Sequence, residues 1–439
     1  MPSKPARPGR YAWLIALLAG LAAAGPSAAQ RLPGVGGLPA VGLPSVGQLT
    51  GDVRGAVEGA GRGLDADLNA LAEARLSRLR ELVLANPKAL ELDAQGAPVV
   101  RGEVMALDPS PAAIQAAVQA GFSVLRRTTL DPLGMEVVVL APPEGLAART
   151  ALTRLRRLDP AGQYDLDHLY SQSGGGGASA PPSPAGLRGE GAGATVGMLD
   201  TGVDADHPAL TSAQISQRGF APGGVKPDAH GLAVASLMVG RGGGFQGAAP
   251  GARLYVADVY GAGPTGGSAD DIVRALAWMA QQRVPVVNVS LVGPANLTVA
   301  AAVRVLIARG ALIVAPVGND GPAAPPLYPA SYPGVIAVTA VDGRGRLLVE
   351  AGHAAHTDFA ALGADVLAAG PGGGLVKVRG ASFAAPRVSG RLALLLAAPD
   401  PAAASRAVAQ LARAARPARG LGHGLVGEGL DAARLGPRS

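Results

Sequence analysis

The sequence predicts an α/β protein in which a mostly parallel sheet flanked by helices follows a small α+β domain. Three observations lead there. From Thr195 onward, short apolar runs alternate with helical stretches, as expected of strands joined through helical crossovers. Between 98 and 170 the order is strand, helix, hairpin, helix, with room for a last strand. The two regions are separated by SQSGGGGASAPPSPAGL (171–187), a Gly/Ser/Pro stretch that reads as an exposed linker.

Composition bounds the alternatives. The 439 residues are 48% hydrophobic and 16% charged, which excludes a disordered chain and suits two or three domains. Gly 64 and Pro 37 show no triplet period, so they mark loops rather than collagen. With Cys 0, disulfides, a thiolate nucleophile and Cys-ligated zinc are excluded. The net charge of +6 comes from dispersed basic residues with few aromatics, a poor footprint for nucleic acid. Residues 31–180 carry 14 basic against 16 acidic side chains, and 181–439 carry 21 against 16; the opposite signs fit mutual attraction and equally well two solvated surfaces.

In chain order, Lys4, Arg7 and Arg10 precede the apolar run Tyr11–Gly25, and Ser27-Ala28-Ala29 supplies small residues before Gln30. This is a secretory signal over 1–29, cleaved near Ala29; the run is short of the roughly 20 residues that span a bilayer. A secreted or periplasmic protein without a membrane anchor is expected. Residues 30–97 hold a low-complexity Gly/Pro/Val/Leu stretch and then an amphipathic helix, with leucines at 64, 68, 71, 76, 79 and 82 near one face.

The domain expected at 98–170 starts with a strand, Val99–Leu107. Ser110 caps a helix that opens on Pro111 and stops at Gly121. The runs Phe122–Leu130 and Met135–Leu140 flank the turn Asp131-Pro132-Leu133-Gly134, a hairpin signal. A helix at Leu146–Leu158 and a strand near Tyr164–Tyr170 complete a ferredoxin-like order. After the linker, set at 171–189, the larger domain spans 190–439. Its expected strands are Val196–Leu199, Arg253–Val259, Val286–Ser290, Ala311–Ala315 and Val335–Ala340, with helices near 231–239, 269–282 and 298–309. Functional residues are expected at the carboxyl ends of such strands.

Four segments sit at such ends. Asp200 closes the run in ATVGMLDTGVDADHP; His230 precedes Gly231 at the start of a helix in DAHGLAVASLMVG; Asn319 follows a strand in ALIVAPVGNDG; Ser382 stands among small residues in RGASFAAPRVSGRLALLLAA. Serine is a weak nucleophile unless a base takes its proton and a third group orients that base. Asp, His and Ser supply those roles, and the Asn319 amide suits a developing oxyanion.

LDTGVDADHP, AHGLAVAS, VVNVSLVGP, PVGNDG and GASFAAP resemble, in content and order, the motif series of the subtilisin-like serine proteases (subtilases, peptidase S8). The resemblance covers roughly 190–436. It implies a subtilisin-like fold and a serine endopeptidase without cofactor, in which Asp200 orients His230, His230 is general base and acid, Ser382 is acylated, and Asn319 joins the Ser382 amide in the oxyanion hole. It also implies that Ser290, Leu291, Val292 and Gly293 pair with the substrate backbone, while Ala315 and Gly318 belong to the opposite wall of the pocket. The 98–170 domain resembles the family's propeptide, which implies an intramolecular inhibitor and folding template, removed by self-processing near Tyr170 or in the linker. Peptides and proteins are the implied substrates.

The sequence departs from the family at Leu232 and Ala381, where threonine is common, at Val292, where a second glycine is usual, and at Pro316 and Val317 beside the oxyanion asparagine. GRGGGFQGAAPGA lacks the ligands of a calcium loop, and His353 and His356 have no partner motif, so no metal is expected. Two other functions use the same motifs: a peptide-binding scaffold or chaperone that keeps the fold without turnover, and a peptide ligase or cyclase in which an amine replaces water.

Overall fold

A computed structural model of the chain describes residues 70–173, 175–179, 191–242 and 245–427. The expected signal, the low-complexity stretch and most of the linker lie outside them. The leucine periodicity produces helix α1 (70–85). Its half-buried positions include Ala72, Arg75, Leu76, Leu79 and Val83, one stripe at helical spacing. Val83 packs on Leu90, Val100 and Leu169.

The next unit is an antiparallel sheet with two helices. It comprises β1 (Leu90–Leu92), β2 (Pro98–Leu107), α2 (Pro111–Gln119), β3 (Ser123–Leu130), β4 (Met135–Ala141), α3 (Ala148–Leu158) and β5 (Gln163–His168). Strand β4 lies between β2 and β3, and β5 pairs β2 on its other side, the ferredoxin-like arrangement. Ser110 accepts from Ala113 N at 3.1 Å and so caps α2. Val104, Val138, Leu140, Leu152, Leu155 and Tyr164 form its core. Strand β1 joins this sheet, although the sequence puts it outside the domain: its three residues are too few to show a period.

Beyond it come β6 (Ser171–Gln172), β7 (Gly175–Ser179), β8 (Thr195–Asp200), β9 (Gln214–Gly219), α4 (Ala229–Val239), β10 (Arg241–Gly242), β11 (Phe245–Gln246), β12 (Arg253–Asp258), α5 (Ala269–Gln281), β13 (Val286–Val289) and β14 (Leu291–Val292). They are followed by α6 (Leu297–Ala308), β15 (Leu312–Pro316), β16 (Ile336–Val341), β17 (Phe359–Leu362), β18 (Val366–Ala369), β19 (Leu375–Arg379), α7 (Ala385–Ala393), α8 (Pro401–Ala414) and β20 (Leu425–Val426). Eight of these strands form one sheet in the order β20-β17-β16-β15-β13-β8-β12-β9, parallel throughout. Its inner strands are covered on both faces and therefore read as continuous apolar runs. Helices α5 and α6 pack together on one side, α4 and α7 on the other. Helix α4 is buried from His230 to Val239, so it is apolar all round rather than striped.

Two differences from the sequence reading bear on the site. Strand β9 is an edge with alternating exposure and polar residues, a pattern without an apolar signal. More consequentially, 171–187 reads as a free linker, yet Ser171 and Gln172 pair with β14, and Gly175–Ser179 pairs with β19. Glycine-rich backbone hydrogen bonds as any other does, so composition hides its pairing.

Candidate active site

Asp200, His230 and Ser382 converge from three elements. Asp200 ends β8, the strand sheltered between β13 and β12, and is 0% exposed. Its Oδ1 accepts from the Thr201 amide at 2.7 Å and lies 2.8 Å from His230 Nδ1. Its Oδ2 has no hydrogen-bond partner among the described residues. Asp228 caps α4 by accepting from His230 N at 3.0 Å, which fixes the histidine in the first turn. A Cβ on Gly231 would meet Thr201 O at 2.7 Å, so only glycine lets α4 come this close to the strand end. His230 Nε2 then stands 3.2 Å from Ser382 Oγ.

Burial pulls the His230 imidazole down, but the Asp200 carboxylate outweighs it and Asp228 adds to the effect, so the ring is held above its usual value. With Nδ1–H directed at Asp200, Nε2 is free to take a proton from Ser382. Ser382 lies in the short 3-10 turn Ala381–Phe383 ahead of α7, after Gly380 at φ 136°. Such a junction leaves amides unpaired by the helix.

The chain itself fills the cleft. Strand β6 pairs antiparallel with β14, Gln172 opposite Leu291 and Ser171 opposite Val292. The next residue, Ser173, receives the Ser382 amide on its carbonyl oxygen at 3.1 Å. Asn319 Nδ2 donates to Ser173 Oγ at 2.9 Å, and its Oδ1 accepts from Ala381 N at 2.7 Å. Asn319 thus reaches the residue whose carbonyl faces Ser382, through the side chain in this arrangement. Past residue 174, β7 continues along β19.

The other residues singled out from the sequence divide. Leu291 and Val292 carry the pairing. A Cβ on Gly293 would lie 2.5–2.9 Å from three atoms of the Tyr170 ring, so this glycine makes room for that side chain. Tyr170 is buried, its OH donating to Pro294 O at 3.0 Å and its amide to Gly267 O at 2.8 Å. Gly318, at φ +94°, faces Leu327 and Val292, which leave no room for a side chain there. Ala315 is buried within β15, opposite Ala337. Ser290 has its side chain turned inward: its hydroxyl accepts from Asn288 Nδ2 at 2.7 Å and donates to Ser382 O at 3.4 Å, which braces the serine turn.

Asp165 and Asp167, alternate residues of β5, escape the sequence reading. Asp165 accepts from Leu297 N at 2.7 Å and Asp167 from Asp270 N at 3.0 Å. Each completes the amino end of a helix in the larger domain, α6 and α5, where carboxylates are favoured. The Asp-x-Asp spacing is a signal, but nothing in the sequence says that the two helix ends lie side by side. Burial and the nearby Asp270 push the Asp167 carboxyl well up.

The profile described as the Subtilase family (Peptidase_S8) matches residues 191–424. The chain is 33% identical over 214 residues to the major intracellular serine protease of Bacillus subtilis, covering 46% of this chain and 67% of that protein. It is 34% identical over 211 residues to subtilisin Savinase of Lederbergia lenta, covering 47% and 77%. Among solved structures, fervidolysin from Fervidobacterium pennivorans, described as a keratinolytic enzyme related to subtilisin, superposes with a TM-score of 0.63 at 21% identity. That match spans 77% of this chain and 61% of fervidolysin, and the likeness is one of fold.

Proposed function

This chain belongs to the subtilase family and is a serine-type endopeptidase, and from that premise we propose that it is a secreted, self-processed zymogen whose triad is Asp200, His230 and Ser382. Asn319 and the Ser382 amide form the oxyanion hole, and the domain at 98–170 is the propeptide. The observation that carries this reading is the seating of Ser173: its carbonyl oxygen accepts the Ser382 amide at 3.1 Å while Ser382 Oγ lies 3.2 Å from His230 Nε2. The first bond cut is Ser173–Gly174.

In that reaction Ser382 Oγ attacks the Ser173 carbonyl carbon and its proton passes to His230 Nε2. The oxyanion draws on the Ser382 amide and on Asn319 Nδ2, which shifts from Ser173 Oγ to the developing charge. As the C–N bond breaks, His230 hands the proton to the departing Gly174 nitrogen. Water then repeats the cycle: His230 takes its proton, the oxygen attacks the acyl ester, and Ser382 regains its hydrogen. Asp200 stays ionised and holds the ring in one tautomer.

Tyr170 and Ser173 describe the substrates that fit: a large aromatic three residues before a small residue at the cut. Val292 and Leu327 close on Gly318, so a bulky side chain has no room beside Ser173's position. Val292→Gly is expected to raise kcat/KM for peptides with phenylalanine before the cut by about tenfold or more against those with alanine or serine, since removing side-chain bulk from such a wall is worth roughly 1–3 kcal/mol. Rates on a matched peptide series read the ratio, and an unchanged ratio removes Val292 from the specificity wall.

Intact-mass measurement of the purified full chain tests the whole reading. Two fragments are expected, one ending at Ser173 and one starting at Gly174. A single uncut chain that also fails to take a fluorophosphonate on Ser382 favours a scaffold instead.

A further inference from the structure

Helix α1 precedes the propeptide domain and has no part in the mechanism above, yet it reaches the wall of the site. Arg75 Nε pairs with Asp320 Oδ2 at 3.0 Å and an Arg78 guanidinium nitrogen with Asp320 Oδ1 at 3.0 Å. The pair spans 242 residues of sequence. Asp320 immediately follows Asn319, and the next residue, Gly321, donates its amide to Glu350 O at 2.9 Å.

Three features set this contact apart from an incidental surface pair. Each carboxylate oxygen has its own arginine. The carboxylate is only 13% exposed and Arg75 15%, with Arg78 at 62%, so half of the contact lies away from bulk water, where screening is weaker. Burial pushes the Asp320 carboxyl up and the two arginines pull against it, so the aspartate sits where a counter-charge is needed. Arg75 and Arg78 are three residues apart and face the same way on a helix. The half-buried stripe of Ala72, Leu76 and Leu79 runs beside them.

We propose that the surface at Asp320 is a docking site for a basic amphipathic helix, filled in cis by residues 70–85, and that this second anchor holds the N-terminal region on the enzyme after the bond behind Ser173 is cut. The retention rests on the zymogen reading; the docking does not. The partner chemistry is two guanidinium groups at i and i+3 on a helix with an apolar flank. Cutting at Ser173 leaves this anchor intact, because α1 and β6 lie on the same side of the bond.

Two measurements on the full chain test it. In the uncut Ser382→Ala chain, amide hydrogen exchange over 70–85 is expected to be slowed relative to the free-peptide rate. R75E/R78E should raise that exchange roughly 5- to 30-fold, as for the loss of two ion pairs of modest strength, and adding D320R should slow it again. In the self-cleaved chain without the Ser382 substitution, R75E/R78E should speed departure of the N-terminal fragment by a similar factor, as read by size-exclusion chromatography over time. R75E/R78E alters α1 alone, so the test stands even if D320R disturbs its surroundings. Free-peptide exchange over 70–85, or indifference of both readouts to R75E/R78E, overturns the proposal. If 70–85 is protected as expected but the chain carrying Ser382 is never cut, the zymogen reading fails and the docking stands.

Discussion

A chain carrying Ser382→Ala is expected to stay in one piece. In the proposed triad the substitution removes the attacking Oγ and the hydroxyl proton that passes to His230, and loss of this atom costs about a millionfold in turnover in subtilisin itself. It removes little else. The contact to Ser173 O runs from the backbone amide of residue 382, which alanine retains, and the pairing of β6 with β14 is between main chains. The variant should therefore fold with the cleft occupied, show one mass by spectrometry, and remain silent on a fluorogenic peptide. A Ser382→Ala chain cut at the same bond would assign the cleavage to another protease and sink self-processing.

Asp200→Asn is the second large effect. The buried Oδ1 is 2.8 Å from Nδ1, and an amide there can offer its NH₂ in place of an acceptor. The imidazole then places its proton on Nε2, where it cannot accept one from Ser382, and turnover should fall about ten-thousandfold. The pH profile separates this from a folding defect. Asp200 holds the His230 ring above its usual value, so in the unsubstituted enzyme kcat/KM should fall, as pH drops, through a midpoint above the unperturbed value of about 6.5. Without the carboxylate only burial remains as the main influence, and burial disfavours the charged ring. The residual activity of Asp200→Asn should keep its plateau to lower pH. An acid limb that stays in place would mean that some other group sets it.

How far these residues were legible depended on what kind of signal each carried. Asp200, His230, Asn319 and Ser382 stand at junctions between apolar runs and small residues, and strand β8 and helix α4 announce themselves by largely apolar stretches. Edge strand β9 did not, because only Ile215 of its six residues is a large aliphatic and one side faces water. Ser290 lay within a resembling motif, yet its hydroxyl turns to Asn288 and the serine turn; side-chain direction is set by packing that a motif does not encode. Asp165 and Asp167 needed two helix ends brought together by the parallel sheet. Arg75 and Arg78 belonged to a helix whose amphipathic face was plain, while their partner, Asp320, lay 242 residues beyond Arg78.

The composition of β7 has a thermodynamic consequence for the direction of the reaction. Its sequence is Gly-Gly-Gly-Ala-Ser, and each glycine held extended forfeits roughly 0.5–1 kcal/mol more conformational entropy than alanine would. While the chain is whole, that ordering is maintained by the pairing with β19 together with the covalent tether to Ser173. In the proposed cleavage, opening the bond behind Ser173 would release that entropy to β7, while the acyl side would stay pinned through Tyr170 and the pairing with β14. Reversal by aminolysis would then lose to water as the amine drifts from the ester. On that reading, the glycines that make the segment look featureless would bias peptide-bond cleavage toward completion.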